Sequence, residues 1–110
     1  MRNAQPRTLQ FYRTPNGSEP FNEWYRSIRD PNTRYRIQRR LERLEEGNFG
    51  DYRSVGEGVF ELRLHFGSGY RIYFGEVRNE IILVLFGGDK SSQQRDIERA
   101  KTYWLEYKET

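Results

Sequence analysis

The sequence predicts an α+β domain, with helices packed against a small antiparallel sheet, and three patterns carry that expectation. Phe60, Leu62, Leu64 and Phe66 alternate with Glu61, Arg63 and His65; beyond Gly67-Ser68-Gly69, Tyr70, Ile72 and Phe74 alternate with Arg71 and Tyr73. Period-two alternation marks strands with one buried and one polar face. Ile81 to Phe86 is apolar throughout, as in an internal strand. Three other segments place apolar residues at helical spacing.

Taken in order, Thr8 to Thr14 is β-rich and reads as a first strand, closed by the turn signal Pro15-Asn16-Gly17. From Pro20 to about Asp30, Phe21, Trp24, Tyr25 and Ile28 fall at i, i+3, i+4 and i+7 of an amphipathic helix, with Pro20 in its first turn. Asp30-Pro31 supplies an N-cap and a first helical residue for a second helix. This one carries Ile37, Leu41 and Leu44 as its buried stripe and ends at Gly47-Asn48. Gly47 to Gly58 reads as a glycine-punctuated connection without the Gly-Lys-Ser/Thr ending of a phosphate-binding loop. After the two alternating strands, Glu76 to Glu80 forms a turn into the apolar strand. Ser91 and Gln94 then have capping-box spacing before a last helix with Ile97, Ala100, Trp104 and Tyr107 on its inner side. The expected order is strand-helix-helix-strand-strand-strand-helix.

Register decides what shares a face. A two-residue turn at Gly67-Ser68 would oppose Leu64 and Arg71, placing a guanidinium among apolar groups. A three-residue turn, Gly67-Ser68-Gly69, pairs Phe66 with Tyr70, Leu64 with Ile72 and Leu62 with Phe74. On the polar face it sets His65 opposite Arg71 and Arg63 opposite Tyr73, with Glu61 near Gly75. Two guanidiniums, an imidazole, a phenol and a carboxylate then form one patch suited to handling phosphate. An ordinary solvated sheet face is the plainer reading of the same residues.

The chain has 110 residues, net charge +3 and no cysteine, and 16 of its 19 basic residues are arginine. One domain is expected, without a disulfide framework or thiolate zinc site. The arginine bias points toward nucleic acid or an acidic partner. Arg39, Arg40 and Arg43 on the second helix read as an electrostatic track for a nucleic-acid backbone, or as a solvated face balanced by Glu42, Glu45 and Glu46. Arg53 projects toward the patch, or is plain loop surface. Lys90 lies where the apolar strand meets the last helix, a place for a phosphate contact, or is an exposed loop lysine. The opening MRNAQPRTLQF lacks the apolar region of a signal peptide and no run is long enough to span a membrane, so a soluble cytoplasmic protein is expected.

GNFGDYRSVGEGVFELRLHFGSGYRIYF followed by GGDKSSQQRDIERAKTYW, with FNEWYRSIRD ahead of it, resembles the phage-derived killer-protein branch of the RelE/ParE toxin superfamily, close to HigB-type toxins. The resemblance spans residues 8–107. It implies a RelE-like fold and the toxin of a bacterial type II toxin–antitoxin pair. The implied partners are a helix-turn-helix antitoxin, the ribosome and mRNA, with operator DNA reached only through the antitoxin complex. Many relatives cut translated mRNA by attack of the 2′-hydroxyl on phosphorus, giving a 2′,3′-cyclic phosphate without metal or cofactor. On that chemistry Arg71 holds the scissile phosphate, Arg63 shares the load and Lys90 steadies it or donates a proton. His65 is the candidate base or acid, with Glu61 or Tyr73 in reserve. The sequence lacks the tyrosine or histidine cluster that the RNA-cutting branches carry near the C-terminal end of the fold. Inhibition of gyrase by binding alone, or an inactive domain that binds RNA or antitoxin, are the other readings.

Overall fold

The computed structural model describes residues 5–110. The strands are β1 (Thr8–Phe11), β2 (Tyr52–Gly56), β3 (Val59–Arg63), β4 (Arg71–Val77) and β5 (Ile81–Gly88); the helices are α1 (Pro20–Ser27), α2 (Pro31–Glu45) and α3 (Gln93–Glu109), the last preceded by a 3₁₀ turn, Lys90–Ser92. They build one five-stranded sheet in the order β1-β5-β4-β3-β2. α1 and α2 cover one face, where Phe21, Ile37, Leu41 and Leu44 meet Leu62, Ile72, Phe74, Ile82 and Val84. α3 covers the other, where Ile97, Ala100 and Trp104 meet Val59, Tyr73, Leu83 and Leu85. The α+β class and the stripes of α2 and α3 are as the sequence predicts; α1 stops at Ser27, so Ile28, expected on its stripe, is an extended cap residue that still packs on the core.

The local signals act as expected at several joints. Gly17 takes φ 92° and donates to the Thr14 carbonyl at 2.8 Å, closing the turn after β1. Asp30 caps α2, accepting from the Asn32 amide at 3.3 Å and the Thr33 hydroxyl at 2.8 Å. Gly47 (φ 89°) ends it, with Gly47 donating to Leu44 and Asn48 to Arg43, the paired bonds of a Schellman motif.

Four expectations need correcting. The sheet is mixed, because β1 lies parallel to β5; the two-helix crossover returns the chain so that its first strand flanks its last. β2 falls within the segment read as a connection and pairs antiparallel with β3. Tyr52, Arg53 and Ser54 are exposed and glycines surround the strand, so this edge strand carries no alternation to betray it. Glu76 and Val77, read as turn, are strand, and the reversal is made by Arg78 and Asn79 at φ 54° and 58°. The proposed capping box does not form: Asp89 caps the 3₁₀ turn instead, accepting from the Ser91 amide at 2.9 Å and its hydroxyl at 2.6 Å.

The β3–β4 register also differs. Glu61 faces Tyr73, Leu62 faces Ile72 and Arg63 faces Arg71, two residues from the expected pairing. The connection therefore runs over five residues, from His65 to Gly69, with Gly67 and Gly69 at φ 58° and 77°. A shift of two keeps every side chain on its face, so alternation cannot detect it. Contacts at the tip decide: Tyr70 packs on Phe66 and Trp24, Arg36 lies 3.9 Å from the Phe66 ring centre, and the Ser68 carbonyl accepts from the Lys90 amide at 3.4 Å.

One irregularity in β5 matters for the site. Tyr73 pairs with Phe86 but Phe74 with Val84, so Leu85 is an extra residue in the ladder. This bulge sends Leu85 and Phe86 to the α3 side and resets the alternation, leaving Gly87 under Trp24 of α1 and Gly88 under Asp96 of α3. Gly75 is a second close approach: a Cβ there would lie 2.4 Å from the Trp104 ring. Gly75→Ala is expected to destabilise the fold by a net of roughly 1–2 kcal/mol, overpacking against a rigid indole outweighing the entropy gained in the unfolded chain. Urea unfolding monitored at Trp104 measures it.

Candidate functional site

Glu61 is completely buried, yet it is a carboxylate. It sits mid-strand on the α3 face, where parity also places Arg63, Arg71 and Tyr73, and β2 brings Arg53 directly opposite. Arg53 Nε donates to Glu61 Oε1 at 3.0 Å and Arg63 Nε to the same oxygen at 3.2 Å. On Oε2, the Tyr73 hydroxyl donates at 3.2 Å and Gln93 Nε2, from the first turn of α3, at 2.9 Å. Arg71 Nε lies 3.7 Å from Oε2, an ion pair without a hydrogen bond, while its Nη1 donates to the Gly69 carbonyl at 2.6 Å. One carboxylate thus gathers three guanidiniums, a phenol and an amide.

The energetics follow. Burial pushes the Glu61 carboxyl up, but bonds from Gln93, Arg53 and Arg63 outweigh it and hold the group below its ordinary value. Burial, then the charge and hydrogen bond of Glu61, push the Tyr73 phenol up, so it stays protonated. Three cations against one anion leave two positive charges, and Arg53 and Arg63 remain partly exposed. Arg71 is buried with its Nε unbonded. Such an arrangement can take a second anion from the solvent side by charge-assisted bonds.

Arg71, Arg63, Glu61, Tyr73 and Arg53 are therefore brought together. Lys90 stands at the rim: a Cβ on Gly69 would lie 3.3 Å from both Arg71 Nη1 and the Lys90 Cβ. His65 does not join opposite Arg71 as the expected register required. It sits in the five-residue loop, exposed, with Nε2 2.5 Å from Asp51 Oδ2. Glu61 has no free lone pair pointing to solvent, so its geometry is that of a counter-ion. Arg39, Arg40 and Arg43 belong to α2, on the opposite face of the sheet from the cluster. Arg39 pairs with Glu42 at 3.7 Å, Arg40 folds back to donate to the Phe49 carbonyl, and Arg43 is exposed. Two residues escaped sequence reasoning. Gln93 was hidden by the expected cap, although it stands one turn ahead of Ile97 on the inner side of α3. Asp96, buried against Gly88, gave no signal beyond a polar residue beside the apolar stripe.

No family model matches the chain. A Haemophilus influenzae protein described as an uncharacterized protein is 42% identical over 81 residues, which cover 74% of this chain and 82% of that protein. The chain belongs to the family of this protein. Among the described residues no helix is long and apolar enough to cross a membrane; the N-terminal stretch read for a signal segment includes residues 1–4, which lie outside the described residues.

Glu61→Gln is expected to cost roughly 3 kcal/mol of stability at pH 7, since removing one partner of a buried ion cluster leaves its cations uncompensated. The sign with pH follows from the lowered carboxyl: its contribution is complete above the ordinary value of 4.5 and is lost as pH falls through the folded value. Denaturant titrations of both proteins should show the gap narrowing below pH 4.5.

Proposed function

We propose that this protein is the toxin of a bacterial type II toxin–antitoxin pair, acting as a ribosome-dependent mRNA endonuclease and neutralised by a helix-turn-helix antitoxin. The observation that carries the reading is the excess of guanidinium charge organised on Glu61. A phosphodiester seated on Arg63 and Arg71, with Arg53 and Lys90 at its margins, has cations positioned for the charge that builds on a pentacoordinate phosphorus. The strand-helix-helix start and the last helix on the opposite face agree with a RelE-like topology, and the arginine-rich composition agrees with an RNA substrate.

In this reading the 2′-hydroxyl gives its proton to solvent water as it attacks the adjacent phosphorus, the bond to the 5′-oxygen breaks, that oxygen leaves with a proton from Lys90, and a 2′,3′-cyclic phosphate results. Arg71 orients the phosphate, Arg63 neutralises the phosphorane, and Lys90 protonates the leaving oxygen. A second reading, inhibition of gyrase or another macromolecule by binding alone, draws support from the position of His65, which is paired with Asp51 rather than with the arginines. Its signature is the DNA-damage response with broken DNA, whereas an endonuclease stops translation first.

Arg71→Ala is expected to abolish growth arrest on expression while the protein stays folded, and Arg63→Ala to weaken it at least tenfold. Mapping RNA ends after a brief expression pulse should reveal new 5′-hydroxyl ends with the parent and none with Arg71→Ala. Full toxicity of a folded Arg71→Ala protein would remove the proposed site.

A further inference from the structure

A cleft of about 490 Å³ opens beside the cluster, lined by Trp24, Phe86, Gly88, Arg95, Asp96 and Arg99. Its origin is topological. β1 accompanies β5 only as far as Val84, so the outer edge of β5 from Phe86 to Gly88 has no strand beside it. Past Phe86 the two glycines leave that edge without side chains of its own, between α1 on one side and α3 on the other. Gly88 is also the cross-strand partner of Arg71, which makes the cleft contiguous with the arginine cluster.

Its chemistry is uneven in an informative way. Asp96 is 5% exposed, and only one of its oxygens is hydrogen-bonded, to the Ser92 hydroxyl at 2.5 Å; the other has no donor among the described residues. Burial pushes this carboxyl up, against the lowering supplied by Ser92, Arg95 and Arg99, so the group is short of donors. Asp96 lines the floor beside Gly88, and the strand edge adds backbone C=O and N–H groups without a strand partner. Trp24 and Phe86 offer flat apolar walls, and Arg99 lies over Phe86 at 5.3 Å. Arg95 and Arg99 are exposed at the mouth.

We infer that this cleft binds guanine, whose N1–H and exocyclic amine meet Asp96 and a β5-edge carbonyl and whose O6 meets a β5-edge N–H, while Arg95 and Arg99 hold its phosphate. The match is by donor count. Guanine presents two adjacent N–H donor groups on one edge, where adenine and cytosine present one amine beside an acceptor and uracil one imide N–H between two carbonyls. A base–aromatic stack on Trp24 or Phe86 is sequence-tolerant, so the carboxyl carries the discrimination. The inference rests on the endonuclease reading for the source of the base, which would be the nucleotide flanking the phosphate on Arg63 and Arg71.

The test titrates GMP, AMP, CMP and UMP into the full chain and follows the backbone amides of Gly87 and Gly88 and the Trp24 indole by NMR. The expected result is GMP binding at least tenfold tighter than the other three, with shifts centred on those groups. Asp96→Asn should lower GMP affinity at least tenfold and AMP affinity less than twofold. Arg99→Ala, which does not depend on the buried site folding normally, should weaken all four nucleotides and leave the preference intact. Equal affinities, no shift at Gly87 and Gly88 at millimolar GMP, or an undiminished preference in folded Asp96→Asn would each overturn the inference. A peptide strand bound at this edge in place of a nucleotide, displaced by none of the four, would do the same. If GMP fails while Arg71→Ala still abolishes growth arrest, the cleft is refuted and the endonuclease reading stands. Guanine preference in a protein whose expression cuts no RNA supports the cleft and removes that reading.

Discussion

A carboxylate sealed into a sheet is tolerable only if its charge is answered on every side, and Glu61 is answered by Arg53, Arg63, Arg71, Tyr73 and Gln93. Those five groups come from β2, β3, β4 and the first turn of α3, so the requirement reaches across most of the molecule. In the observed register Tyr73 stands directly opposite Glu61 and Arg63 opposite Arg71. Two arginines that would otherwise repel across the ladder are reconciled by the anion between them. The edge strand β2 is fixed by the same group, through Arg53. The surface keeps a positive surplus: the anion is outnumbered, and the outermost guanidiniums still face solvent.

How much of this the sequence carries depends on the kind of information. Alternation between Phe60 and Phe74 places Glu61, Arg63, Arg71 and Tyr73 on one face, and that assignment survives because parity is insensitive to a shift of two residues. The same insensitivity leaves the register itself open. It is settled by where Tyr70 and Phe66 pack and by the tie between Ser68 and Lys90, which are tertiary contacts without a local signal. His65 is the casualty: one step beyond the last paired residues, it leaves the face and finds Asp51. The edge strand β2 was illegible because an exposed strand needs no apolar alternation, and the parallel β1–β5 pairing because nothing in either segment names its partner. Helical stripes, by contrast, are legible in the sequence, since Ile37, Leu41 and Leu44 have only one way to be buried.

The two faces of the sheet divide the labour. The α1–α2 side is aromatic and aliphatic packing, with the α2 arginines turned outward or folded back, as Arg40 is onto Phe49. The α3 side carries both an apolar half, around Trp104, and a polar half, around Glu61 and Asp96. The bulge at Leu85 separates these halves. By resetting the alternation it lets β5 present Leu85 and Phe86 to α3 and then two glycines, which open the sheet edge next to Arg71. A local defect in a ladder therefore decides where apolar packing stops and the polar, charged part of this face begins.

The whole cluster depends on Glu61 being ionised and bonded within the folded protein. A pH titration of its side-chain carboxyl carbon by NMR measures this directly. A midpoint below the ordinary value of 4.5 is the expected result; a midpoint at or above it would mean that burial prevails over the arginines and that the cluster is not organised on this carboxylate.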